Sequence, residues 1–364
     1  MLAKSTRTVS ILLLLAAFIG ACAPSTAAPQ PQTTEAPAAR ADLSGIKTYL
    51  LGKATDLKTA AAGLKASSDL YYELAEAAGF DYTGLWASQP EEVGGALIDA
   101  KTAWLAASPL YEQMEGIVAG TPSLAEFDVI LDAGTSAEED LEGAVPFDLT
   151  LPDGRVLPKP GNLFGVLEST LWGTYPEFTT GIEADLNANG EVEFGETLPD
   201  ANVLKAGADA LDQYVNELDA AAGAWEPTDS DAFTALVVMV PTMSEYFGSW
   251  KSSRFVAGED SAQRDFVAIS RLSDIQDILG SLQVVYAGVK PLVETVDAGQ
   301  AGAIENSLAD LKAFVADVYG KEQGGQRFTP EDADLLGAEA QNRATAIAGQ
   351  VSQITAQLNI TIEE

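Results

Sequence analysis

Histidine is missing from all 364 residues, and cysteine occurs once, at Cys22. The first absence removes the usual general base near neutral pH and the imidazole ligand of zinc and copper sites. The second removes intrachain disulfides and any thiolate metal centre. Basic side chains are scarce too: 20 Lys and Arg stand against 54 Asp and Glu, a formal net charge of −34. A surface of that sign repels nucleic acid and anionic lipid and attracts cations, so DNA and RNA are excluded as partners. There is no Gly-Lys-Ser/Thr phosphate loop and no Gly-x-Ser-x-Gly elbow, and with no nucleophile or base assembled the chain reads as a binding protein and not an enzyme. Paired carboxylates could hydrolyse glycosides, but among 54 acids such pairs arise by chance.

The longest apolar run, Val9 to Ile19, follows Lys4 and Arg7 and leads into Ile19-Gly20-Ala21-Cys22. That is the layout of a secretory leader, and its end resembles the bacterial lipobox, in which the cysteine is lipidated. Residues 1–21 are therefore predicted to be a signal peptide and Cys22 a lipid anchor, an ordinary cleaved leader being the alternative. The anchor would hold the protein outside the cytoplasm on the cell envelope. Residues 22–42, rich in Pro, Ala, Thr and Gln, carry no apolar periodicity and read as a flexible tether.

Beyond the tether the apolar residues recur at helical spacing. Ile46, Leu50, Leu57, Ala61, Leu64 and Tyr71 mark one long helix, stopped near Gly79, and Leu97, Ala100, Trp104, Tyr111 and Met114 mark a second over residues 90–118. Asp200 caps a third; a fourth begins between Thr228 and Asp231 and continues through Met243 and Tyr246. Further stripes follow at residues 275–289, at 304–319 and, behind a Thr329 cap with Pro330 in the first turn, at 331–358. About four helices on each side of Trp225-Glu226-Pro227 predict an all-α chain of two antiparallel four-helix bundles, over residues 43–226 and 227–364. Phe147 to Leu157, FDLTLPDGRVL, predicts a small β-hairpin inserted in this frame.

A second insertion carries chemistry. DLNANGEVEFGE, residues 185–196, places Asp185, Asn187 and Asn189 at positions 1, 3 and 5 of an EF-hand loop and Gly190 at the turn. The carbonyl of Glu191, then Glu193 and Glu196, complete the oxygen set at 7, 9 and 12, which suits Ca2+. Gly181 and Pro199 flank it, so the expected role is stapling the insertion, not switching a helix pair.

The central stretch is NLFGVLESTLWG, residues 162–173. Phe164, Leu167, Leu171 and Trp172 share a helical face that places Glu168 beside buried side chains, where a carboxylate needs a partner. The run resembles the signature helix of the imelysin-like family, helical iron-uptake lipoproteins of bacterial envelopes, whose motif is GxHxxE followed by Leu-Trp. Glu168, Leu171 and Trp172 match; Leu163 and Gly165 stand where the motif has Gly and His. Tyr111 to Glu115 is similar to a Tyr-Glu-x-x-Glu run of the family, Phe127 to Gly134 to its Leu-Asp-x-x-Ile-Asp-Ala segment, and Glu245 to Glu259 to its segment leading to a Gly-Glu-Asp turn. The resemblance implies a metal held by Glu168 with Glu112, Glu115, Asp132 and Glu245 as neighbours, and an iron permease as partner. An all-oxygen set favours hard ions, such as ferric iron, Ca2+ or Mg2+. The alternative for Glu168 is a buried polar contact with Lys251, Arg254 or a tyrosine.

Overall fold

The computed structural model describes residues 41–363, so the leader, Cys22 and most of the tether lie outside the described residues. The described residues are mainly helical: α1 (Ser44–Ala77), α2 (Tyr82–Ser88), α3 (Pro90–Val118), α4 (Ala125–Asp128), α5 (Leu163–Leu171), α6 (Ala201–Ala224), α7 (Asp229–Met239), α8 (Met243–Ser252), α9 (Arg271–Val296), α10 (Ala298–Gln323) and α11 (Pro330–Leu358). None of the described helices is long and apolar enough to cross a membrane. The predicted all-α class holds, with two small antiparallel strand pairs added. Strands β1 (Leu149–Thr150) and β2 (Val156–Leu157) are the expected hairpin. Strands β3 (Thr179–Glu183) and β4 (Thr197–Pro199) are a second pair, which closes the 185–196 loop at its base.

Local chemistry sets the boundaries. Asp200 accepts from the Asn202 N–H at the start of α6, and capping boxes at Thr228 and Thr329 start α7 and α11. These side chains satisfy N–H groups that a first turn leaves unpaired. The helix expected to run from Thr228 past Met243 is instead divided. Pro241 lacks an N–H and sits at ψ +19° in a 3-10 turn, so α7 ends and α8 starts anew on a changed axis.

Helices α1, α3 and α6 pack together with α5 laid across α3 and α6, while α8, α9, α10 and α11 form the other group. The groups share one apolar core, because α9 packs on α3 as well as on α10. Gly116 allows that approach: a Cβ there would lie 2.5 Å from Ser281 Oγ and 2.9 Å from Leu282 Cγ of α9. Two rigid helices are thereby brought close along the faces that carry Glu112 and Glu115 on one side and Arg271 and Asp274 on the other.

Candidate metal centre

Helical spacing assembles the centre from three elements. Glu112 and Glu115, three apart, share the inner face of α3. Asp128 closes α4 and Asp132 follows one π-type turn later, over Val129–Ala133. Arg271 and Asp274 occupy the first turn of α9, capped by Ser270. All six side chains are buried. One carboxylate oxygen from each of Glu112, Glu115 and Asp132 lies within 4.8 Å of the other two, and among the described residues no other three acidic groups converge in this way.

Arg271 is the counter-charge. Its Nη1 donates to Glu112 Oε1 at 3.2 Å and Asp274 Oδ2 at 3.3 Å, and its Nη2 stands 3.7 Å from Asp132 Oδ2. The guanidinium also stacks against Phe266 and Tyr246, 4.2 and 4.7 Å from the ring centroids. Tyr246 Oη donates to Glu115 Oε1 at 2.7 Å and Tyr111 Oη to Asp128 Oδ1 at 2.7 Å. One arginine faces five carboxylates, and burial raises the proton affinity of four of them. Glu112 and Asp132 are pushed well above the usual carboxylate range, Asp128 to about 7, with Glu115 adding to burial, and Asp274 to about 6. Glu112 Oε2, Glu115 Oε2, Asp132 Oδ2 and Arg271 Nε make no hydrogen bond although all are buried. Buried polar atoms are rarely left so.

A cavity of about 600 Å³ leads from Glu115, Asp132 and Arg271 to the exposed Glu139 and Glu245. Glu245 therefore lines the approach and stands apart from the three converging acids. Glu168 also stays out of that group. It lies against a separate void of about 10 Å³ that Asp132 and Asp274 also line, and its oxygens are taken by the main chain. Oε2 accepts from Phe266 N–H at 2.6 Å, and Oε1 accepts from Val267 and Ala268 N–H at 2.9 and 2.7 Å. The partners expected from the sequence are elsewhere: Lys251 pairs with Asp334, and the Arg254 guanidinium lies 3.6 Å from the centre of the Phe194 ring. Three successive N–H groups around a carboxylate form an anion nest, helped by Phe266, whose φ of +53° is unusual for a bulky residue. Burial, with Asp265 second, pushes Glu168 up to about 8, and the three N–H donors act against that rise.

Gly165, where the motif has histidine, faces both cavities. A Cβ there would lie 2.8 Å from Asp265 Oδ2 and 3.0 Å from Asn162 Oδ1, so Asp265 occupies the space into which a larger side chain would project. Asn162 caps α5 through Gly165 N–H at 2.7 Å and donates to Gly134 O, tying the signature helix to the turn after Asp132.

In the 185–196 loop, Gly190 takes the expected turn at φ +94°. Asp185 accepts from Asn189 and Gly190 N–H at 3.0 and 2.7 Å, and buried Glu196 accepts from Glu193 N–H at 2.8 Å. Asn187 and Asn189 amides both donate to Glu193 Oε2, at 3.3 and 3.2 Å, and the Glu191 N–H is bound by Asn189 Oδ1 at 2.8 Å. Lys101 Nζ donates to Gly195 O at 2.5 Å, fixing the loop to α3.

Arg271, Asp274, Asp128 and Asp265 were not among the residues expected from sequence. Arg271 had a signal: it lies four residues before Ile275 and seven before Ile278, on the buried stripe of its helix, where an arginine demands a buried partner.

The family model for imelysin matches residues 45–358. Among solved structures, an imelysin-like protein from Psychrobacter arcticum 273-4 aligns over 90% of this chain and 99% of its own, at 17% identity and a TM-score of 0.42. No curated protein matches the chain.

Two outcomes follow from the geometry. Glu168→Gln replaces one acceptor oxygen by a donor facing N–H groups, so it should cost about 1–3 kcal/mol in chemical denaturation and speed amide exchange at residues 266–268. An unchanged exchange rate there would contradict the anchoring role. With metal chelated, the fold holds protons on Asp128 and Asp274 up to about pH 7 and 6, whereas the unfolded acids release theirs near 3.8. Stability should therefore fall as pH rises from about 4 to 7. Denaturant midpoints that rise across that window would contradict it.

Proposed function

The chain belongs to the imelysin family, and on that premise we propose that it is an extracytoplasmic binding protein for a hard cation, of the iron-uptake type. The observation that carries this reading is the convergence of Glu112, Glu115 and Asp132, each with a buried oxygen that makes no hydrogen bond, around too little positive charge. Three hard carboxylates suit ferric iron, Mn2+, Mg2+ or Ca2+, and the lack of histidine disfavours zinc and copper. A bound cation would neutralise acids that otherwise must hold protons or repel one another, so uptake should release protons. The fit concerns donor chemistry: carboxylate oxygens supply the charge, Tyr246 orients Glu115, and Arg271 limits how many negative charges remain.

A second reading has its own support. Arg271 already lies between Glu112, Asp132 and Asp274, as it would in a structural ion-pair centre of an interaction protein that uses calcium only for stability. Titration decides between them. The chelator-stripped protein should take up one Mn2+ at the centre, detected by electron paramagnetic resonance, and Glu115→Gln and Asp132→Asn should each weaken it by more than the roughly 10–100-fold typical of losing an outer partner. Mn2+ uptake unchanged in both variants, or none in the parent, would favour the structural reading.

The loop at residues 185–196 is proposed as a separate Ca2+ site with Asp185, Asn187, Asn189, Glu191, Glu193 and Glu196 as ligands, from the match of oxygen types to positions. Calcium should raise the melting temperature, and Glu196→Gln should abolish the rise; calorimetry showing no Ca2+ uptake at millimolar concentration would reduce the loop to an acidic turn. Envelope anchoring through Cys22 rests on the Ile-Gly-Ala-Cys sequence behind the apolar run, and an iron permease as recipient rests on the family resemblance alone. Cys22→Ser should move the protein from the membrane to the soluble fraction; unchanged fractionation would rule out the lipid anchor.

A further inference from the structure

A bare cation leaves one group of the centre unexplained. Arg271 is more than nine-tenths buried, its Nε makes no hydrogen bond, and Nη2 meets only Asp132, at 3.7 Å, beyond hydrogen-bond reach among the described residues. Nε and Nη2 together form the edge of a guanidinium that takes a carboxylate through two parallel bonds. Nη1 is the nitrogen spent on Glu112 and Asp274. The other arginine of the cavity, Arg264, is committed to Glu139 and Ser136. So, on residues that line the cavity, Glu115 Oε2 makes no hydrogen bond, Asp132 Oδ2 has only its long 3.7 Å ion pair to Nη2, and the Nε/Nη2 edge beside them makes no hydrogen bond. A cation alone would satisfy the acceptors and be repelled by the guanidinium. The cavity's volume, about 600 Å³, also falls in the range of small-molecule sites, roughly 300–1,000 Å³, and far exceeds what an ion fills.

Resting on the cation reading above, we propose that the centre binds its cation together with a small carboxylate-type anion, carbonate or an organic acid, one face of which coordinates the cation while another pairs with the Nε/Nη2 edge of Arg271. The anion offsets the repulsion between Arg271 and the cation and closes both sets of unpaired groups at once. It also explains why an arginine is tolerated beside a cation site: it serves the second half of a paired ligand.

The test is calorimetric titration of Mn2+ into the chelator-stripped protein in a carbonate-free, non-coordinating buffer, repeated with bicarbonate, with malonate and with phosphate, each corrected for the anion's own metal complexation. Bicarbonate or malonate should tighten Mn2+ binding by about ten- to a hundredfold, the range of a charged hydrogen bond. The 13C-labelled form of the effective anion should be retained by the protein only when Mn2+ is present. Arg271→Lys, which keeps the charge and removes the forked edge, should abolish the anion dependence; if that variant fails to fold, the titrations of the parent protein still decide. Equal Mn2+ affinity in all buffers overturns the paired-ligand proposal and leaves the cation reading standing. A gain with phosphate but with neither carboxylate overturns the assignment of the anion. No Mn2+ binding in any buffer overturns both.

Discussion

Three backbone N–H groups on one buried carboxylate hold the site of this protein together. Glu168 reaches from the signature helix to residues 266–268 and fixes a loop that has no helical or strand ladder of its own. Everything downstream depends on where that loop is held. Phe266 lays its ring on the Arg271 guanidinium, Ser270 caps α9, and Arg271 enters the acidic centre from the first turn of that helix. Asp265, just before the nest, fills the space beside Gly165. An uncompensated carboxylate at this depth would be strongly disfavoured, and a left-handed Phe266 would be strained without support. Each tolerates the other because the same hydrogen bonds serve both.

The second constraint is charge in a poorly solvated space. Glu112, Glu115, Asp128, Asp132 and Asp274 surround a single arginine, at distances where charges interact far more strongly than in water. The two tyrosine hydroxyls each steady one acid, and protons account for part of the remainder. Such a centre stabilises the fold weakly at best, since buried ion pairs seldom exceed the cost of desolvating them. Its arrangement is consistent with the proposed receptor for positive charge. The rigid α3–α9 contact at Gly116 keeps the acids from relaxing apart.

Much of the frame was legible from apolar spacing and caps. The bounds of α3, the capped start of α11 and the 147–157 hairpin follow from residues that leave a local mark: proline in a first turn, a Thr-x-x-Asp box, a Pro-Asp-Gly turn. The division at Pro241 was legible in principle and was overridden by the apolar stripe that continues through it. The β3–β4 pair was not, because five- and three-residue strands with mixed burial carry no clean alternation. Within the site, Glu112, Glu115 and Asp132 are named by the family resemblance as neighbours of Glu168, and the structure brings those three together without it. The partner of Glu168 was invisible for a physical reason: it is main chain, and N–H donors have no side-chain signature. Arg271 escapes the apolar pattern because the stripe over residues 275–289 begins one turn after it.

Anomalous diffraction from crystals of the mature protein soaked with Mn2+ tests this arrangement most directly. The arrangement predicts a peak among the carboxylates of Glu112, Glu115 and Asp132, with Glu168 still bound to the N–H groups of residues 266–268. A peak coordinated by Glu168, with that segment released from its carboxylate, would contradict it.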